Sequence, residues 1–154
     1  MADRKPKAFA LDNNTDTTAV SGKSPHVKAE PQVGDRFDDG TIFSGISPDT
    51  GKPMYARPVD ESLAMQWKEA VRYAARFEGH GKPVGTFRVP TDGELSVLFQ
   101  NRTKIGGFNE TGSVPKGWYW ASTLGVDPRD QRFSDGRRGC SYENVYSSVR
   151  LICS

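Results

Sequence analysis

The chain is poor in cysteine, in histidine and in long apolar runs, and its charge leans strongly to neither sign. It has 2 Cys and 2 His in 154 residues. Two cysteines cannot build the disulfide framework that staples small secreted domains. Cys140 and Cys153 are read as two reduced, partly buried thiols, with pairing open to them only in an oxidising setting. His26 and His80 stand apart from any cysteine spacing that would hold zinc, so no metal site is expected. No apolar stretch approaches the ~20 residues that span a bilayer, and no membrane insertion is expected. The basic N-terminus, MADRKPKAFALDNN, is not followed by the apolar core of a signal peptide. The expectation is a protein cytoplasmic as made, or carried in a virion, which needs no signal either. With 21 basic and 19 acidic residues the net charge is only +2. That balance lacks the clustered basic face that a nucleic-acid partner calls for.

Apolar residues are also scarce, at 35%. The 16 glycines bring the count near the ordinary globular share, and with the 10 prolines they promise many turns and loops. The length suits one domain and is short for two. Residues Met1–Val33 are polar and lack periodicity, so alone they bury too little to offset their ordering entropy. They read as an extended arm, either a disordered tail or a segment ordered by a neighbouring subunit through Phe9, Ala10 and Leu11. The folded domain is expected from Gly34 to Ser154.

Thr41–Ser47 and Pro53–Val59 read as two strands, and the turn signal SPDTGK between them makes a hairpin. The prolines of the second strand suit an edge or strand ends. A helix follows, with Asp60 or Ser62 as its cap and Gly79 at its end. Its buried face is read as Trp67, Ala70, Val71, Ala74 and Phe77 or Glu78. A second, shorter helix starts at Thr91, where Thr91 and Glu94 have capping-box spacing. Leu95, Leu98 and Phe99 form its buried stripe, and Gly106-Gly107 stops it. Beyond it, Trp118–Ser122, Arg132–Ser134 and Ser148–Cys153 are candidate strands. Strands, two helices, then loops and strands make an α+β class.

Several motifs occur in a fixed order: RVPTxxEL from Arg88, NRxxIGGF from Asn101, GWYWxS from Gly117, QRFSDG from Gln131 and SVR from Ser148. Together with DGTIFSGISPDTGKPMY from Asp39, they resemble the DUF1566, or Lcl C-terminal, family over Asp39–Arg150. The resemblance implies a C-type lectin-like fold related to that of formylglycine-generating enzymes. In such a fold the N- and C-terminal strands meet in one sheet, two helices flank it, and a long loop region carries the binding surface. Some relatives are variable proteins of phages and bacteria, whose ligand contacts fall between the aromatic motif and the final SVR. The chain departs from the pattern at Phe87, where Trp is common, at Asp127-Pro128, and at its Leu151-Ile152-Cys153 ending. Arg137–Tyr146 is not Asn-rich, as a heavily diversified cassette often is.

The resemblance sorts the polar and aromatic residues. Of Trp118, Tyr119 and Trp120, one or two should point inward, and an outward Tyr119 could stack on a ligand. Arg88 and Arg150 are read as buried structural hydrogen-bonding groups, and Asp135-Gly136 as a turn. The expected ligand-binding residues are Arg129, Asp130, Arg137, Arg138, Tyr142, Glu143, Asn144 and Tyr146. They mix rigid aromatic area with adaptable polar groups, as protein- and glycan-binding paratopes do. The Glu-Pro-Asn, Gln-Pro-Asp and Trp-Asn-Asp signatures of calcium-dependent sugar binding are absent. The cysteines match no paired active-site arrangement, and no Ser/His/Asp pattern appears. The expectation is a non-catalytic display domain without a cofactor, taking a protein or glycan ligand. The alternative is a structural or decoration subunit of a phage virion, with the arm making a homo-oligomer or gripping an assembly neighbour.

Overall fold

The computed structural model describes residues 29–154, so the arm residues Phe9, Ala10 and Leu11 lie outside the described residues. Pro31–Ser154 forms one compact unit. In it, strand β1 (Ile42–Ile46) turns through Ser47–Lys52 into β2 (Pro53–Ala56), the expected hairpin. A bulge between Phe43 and Gly45 bends β1. Gly45 has φ +117°, and a Cβ there would lie 3.0 Å from Val97 Cγ1, so both backbone and packing ask for glycine. The last strand, β6 (Ile152–Cys153), pairs antiparallel with β2, which makes β2 central in a sheet ordered β1-β2-β6. Pro53 survives there because it is the first residue of its strand.

Helix α1 spans Trp67–Arg76 and starts later than expected. Its N-cap is Gln66, without a side-chain bond, so neither Asp60 nor Ser62 caps it. Asp60 is held elsewhere, by the Arg150 guanidinium at 2.8 Å. The chain before the helix is tied by backbone bonds from Glu61 to Val149 and from Met65 to Ser147, which delays the first turn. Ala70 and Ala74 face the core, but Val71 is exposed, against expectation. The two alanines bring the helix close and leave Val71 at the margin.

Helix α2 (Asp92–Gln100) has the expected capping box, with Thr91 Oγ1 accepting from the Glu94 amide and Glu94 Oε1 accepting from the Thr91 amide. Such a cap contributes about 1 kcal/mol. A short α3 (Arg102–Ile105) continues it, and Gly106, at φ +83°, ends the run.

The second sheet is ordered β3-β4-β5 and antiparallel: β3 (Trp118–Leu124), β4 (Pro128–Arg132) and β5 (Arg138–Cys140). The expected strand Arg132–Ser134 is therefore displaced. Pro128 opens β4, and the ladder closes into a turn where Asp135 Oδ1 accepts from the Arg137 amide at 3.0 Å. The expected Ser148–Cys153 strand shortens to β6, because Ser148 instead exchanges bonds with Trp118 and Trp120 of β3. Tyr119 points inward and is fully buried. It packs at 4.4 Å between ring centroids on Phe133, which also meets Phe108 and Phe99. Each such aromatic pair adds about 0.5–1.5 kcal/mol beyond its burial. Trp120 anchors the other core cluster, with Met65, Ala70, Phe87 and Leu151. The result is a small α+β domain with two small antiparallel sheets. Among the described residues no helix is long and apolar enough to cross a membrane.

Candidate functional site

Residues 141–149 form a strap between the start of α1 and the second sheet. Backbone bonds hold both its edges. On one side Met65 and Ser147 exchange N–H···O bonds, the Trp67 amide donates to Glu143 O, and Gln66 Nε2 donates to Asn144 O. On the other, the Ser141 amide donates to Pro128 O, and Ser148 O accepts from the Trp120 amide. Tyr142 O accepts from the Val145 amide and closes the turn at the strap's outer end. The strap therefore presents side chains from a pinned backbone.

Its alternating side chains face two different recesses. Tyr146 enters a cleft of about 360 Å³, lined also by Glu61, Leu63, Met65, Tyr73 and Arg76. The floor of that cleft is closed. Glu61 accepts from the Tyr73 hydroxyl at 2.5 Å through one oxygen and pairs with Arg57 through the other. Burial and the Glu61 carboxylate push the Tyr73 hydroxyl up to about 12. Val145 and Ser147 face a smaller recess of about 220 Å³, with Val114, Trp118, Asp130 and Ser141. Asp130 Oδ2 accepts from the Ser141 hydroxyl, while Asp130 Oδ1, buried, has no hydrogen-bond partner among the described residues. Burial pushes the Asp130 carboxyl up, against the Ser141 bond that lowers it.

The eight expected ligand residues are not one patch. Arg129 and Arg138 converge on the first turns of α2, where Arg138 Nη2 lies 2.7 Å from Ser96 Oγ and 3.6 Å from Asp92 Oδ2. Arg129 lies 4.0 Å from the same carboxylate. Arg137 is exposed just after the Asp135 turn. Tyr142, Glu143, Asn144 and Tyr146 belong to the strap, with Tyr142 72% and Tyr146 50% exposed. The Lys68–Glu143 pair at 3.0 Å is solvent-exposed and contributes little. Asp130 corrects the expectation of an exposed contact residue. It is 2% exposed, because its strand position faces the underside of the strap beside Trp118.

Sequence reasoning missed Trp118, Val114 and Ser141 as parts of a site. Trp118 reads as core, yet it is only half-buried and walls the recess. The available signal was Gly139, directly opposite Asp130 in the β4–β5 ladder. The β3–β4 hairpin tip, where Leu124 and the fully exposed Val126 project, lies between the aromatic motif and the final SVR, where the resemblance puts ligand contacts. Arg150 is buried, as expected, whereas Arg88 is not, its side chain being 37% exposed. Arg88 reaches Glu94 at 2.5 and 2.8 Å. Arg150, fully buried, reaches Asp60 and the carbonyls of Arg57 and Gly106. Cys140 is exposed on β5, Cys153 is buried on β6, and both are free. Among the described residues no group of three or more His, Cys, Asp or Glu is placed to hold a metal ion. No protein-family model matches the chain, and no curated protein matches it.

Proposed function

We propose that the domain is a non-catalytic, C-type lectin-like display domain. It presents the strap and the β4–β5 turn at Arg137 to a protein or glycan, in the setting of a phage particle or bacterial assembly. The observation that carries this reading is the pairing of Tyr142 and Tyr146, both exposed, with a backbone bonded along both edges. Rigid aromatic side chains on a pre-ordered backbone offer contact area at low entropic cost on binding. The division of roles along the chain supports it. Many of the residues that carry the DUF1566-like motifs, among them Glu94, Tyr119, Trp120, Phe133 and Arg150, are buried in the scaffold. The exposed tyrosines lie between those motifs. The lectin-like reading is supported by β6 joining the β1–β2 hairpin in one sheet, with the strap and the hairpin tip borne by the other.

The test replaces Arg137→Ala, Tyr142→Ser and Tyr146→Ser together. Wild type and variant are compared on a glycan array and on bacterial envelope proteins. The expected outcome is loss of the wild-type binding with the melting temperature kept. A folded triple variant that binds as wild type does would overturn the proposal.

A further inference from the structure

The Asp130 recess carries an unmet chemical demand. Asp130 Oδ1 is the only buried carboxylate oxygen left without a partner among the described residues. A desolvated carboxylate left half-satisfied is costly, and what it lacks is a hydrogen-bond donor. Asp130 lines the recess, and the β4–β5 ladder makes room for that oxygen at Gly139. A Cβ on Gly139 would lie 2.8 Å from Asp130 Oδ1 and 3.3 Å from Trp118 Cζ3. Glycine at this position therefore spares both the oxygen and the indole edge.

The lining selects among donors. A hydroxyl would give Oδ1 one hydrogen bond but no charge compensation, whereas a cation supplies both. The Trp118 ring favours a cation as well, and the Arg132 guanidinium already stands 5.5 Å from its centroid. An ammonium carries three donors in a compact head. The residues lining the recess include Asp130, Ser141 and Ser147, whose side chains carry oxygens able to accept them. Val114 and Val145 suit the apolar stem of such a group. The recess, at about 220 Å³, has room for a side chain.

We propose that this recess is a subsite for a primary ammonium group, a lysine side chain or an N-terminal amine presented by a protein ligand. The inference rests on the display reading and assigns that surface a protein partner rather than a glycan.

The experiment uses the full chain labelled with 15N at its tryptophans, the Trp118 indole resonance being assigned with a Trp118→Phe variant. Three probes are titrated: Nα-acetyl-lysine methylamide, alanine methylamide with its free α-amine, and methyl glucoside. The expected result is a saturable shift of the Trp118 indole with one or both amines and none with the glycoside. The two amine arms separate a side-chain source from an N-terminal one. Asp130→Asn is expected to weaken the amine response at least about tenfold. Unmoved Trp67 and Trp120 indoles in that variant show that the fold is kept. An equal response in Asp130→Asn, a response to the glycoside alone, or no response to any probe would each overturn the ammonium subsite. If the probes fail while the Arg137/Tyr142/Tyr146 variant still loses binding, the display reading survives without it. If the amines bind and the triple variant loses nothing, the display reading falls instead.

Discussion

Glu94 and Asp130 are two buried carboxylates in opposite circumstances. Glu94 receives both Arg88 Nη atoms, the Ser47 hydroxyl at 2.7 Å and the Thr91 amide at 2.9 Å. Burial alone would raise its carboxyl, but the Arg88, Thr91 and Ser47 bonds outweigh that and hold it at about 2. Asp130 receives the Ser141 hydroxyl through one oxygen and nothing from a cation among the described residues, and burial leaves its carboxyl raised. Equal burial therefore does not mean an equal role. The carboxylate whose bonds are complete joins the turn after β1, the chain before α2 and α2 itself. The one left incomplete sits beneath the strap.

The largest way to break the contrast is at Glu94. Glu94→Ala removes the partner of a partly buried guanidinium and of the buried Ser47, along with half the capping box. It is expected to cost about 3–5 kcal/mol in urea unfolding. The pH dependence has a fixed sign. Glu94 falls from an ordinary 4.5 unfolded to about 2 folded, so its contribution is full above 4.5 and is lost as pH falls toward 2. Unfolding free energies of wild type and Glu94→Gln across that window should converge at the acid end. Parallel curves would show that Glu94 is not the linked group.

Much of the scaffold side of this contrast was legible in the chain. Thr91-x-x-Glu94 is a local pattern with a local cause, and it held. The hairpin at Ser47–Lys52 and the stop at Gly106 held for the same reason. The misses were of longer range. Asp60 reads as a cap until Arg150, ninety positions later, claims it. Val71 fits the helical period but not the close approach that Ala70 and Ala74 permit. The start of β4 at Pro128 was hidden because its pairing with Trp118–Leu124 is set by the hairpin and not by an apolar alternation. The candidate site was half legible. Composition pointed to Tyr142 and Tyr146, which need only be exposed. It could not show that Trp118 and Asp130 line one recess, with Gly139 opposite Asp130, since that depends on the register of β3, β4 and β5.

Gly139 offers a smaller and more local break. Gly139→Ala would drive a methyl against Asp130 Oδ1 and the Trp118 edge, at 2.8 and 3.3 Å. Overpacking of this kind is expected to cost about 1–3 kcal/mol. It should also displace the Trp118 indole resonance while leaving that of Trp67 in place. A neutral substitution with an unmoved Trp118 would mean that the β4–β5 ladder yields easily and that the recess is not built around glycine.

The smallest effect is expected at Asp130, and it has the opposite sign to that at Glu94. A carboxyl raised by burial binds its proton more readily folded than unfolded, where its ordinary value is 3.8. Its ionised form therefore opposes folding at neutral pH, and the penalty disappears as pH falls below 3.8. Asp130→Asn keeps an acceptor for the Ser141 hydroxyl and removes the charge. It should make the free protein more stable than wild type at pH 7, with the gain shrinking as pH falls toward 3. A residue kept only for the fold should lose stability on such a change, as Glu94 does. Gain in the free protein, together with loss of amine binding, would be the mark of a group whose burial serves a ligand and not the scaffold. If Asp130→Asn instead unfolds the second sheet, the contrast with Glu94 collapses, and Asp130 becomes one more structural carboxylate.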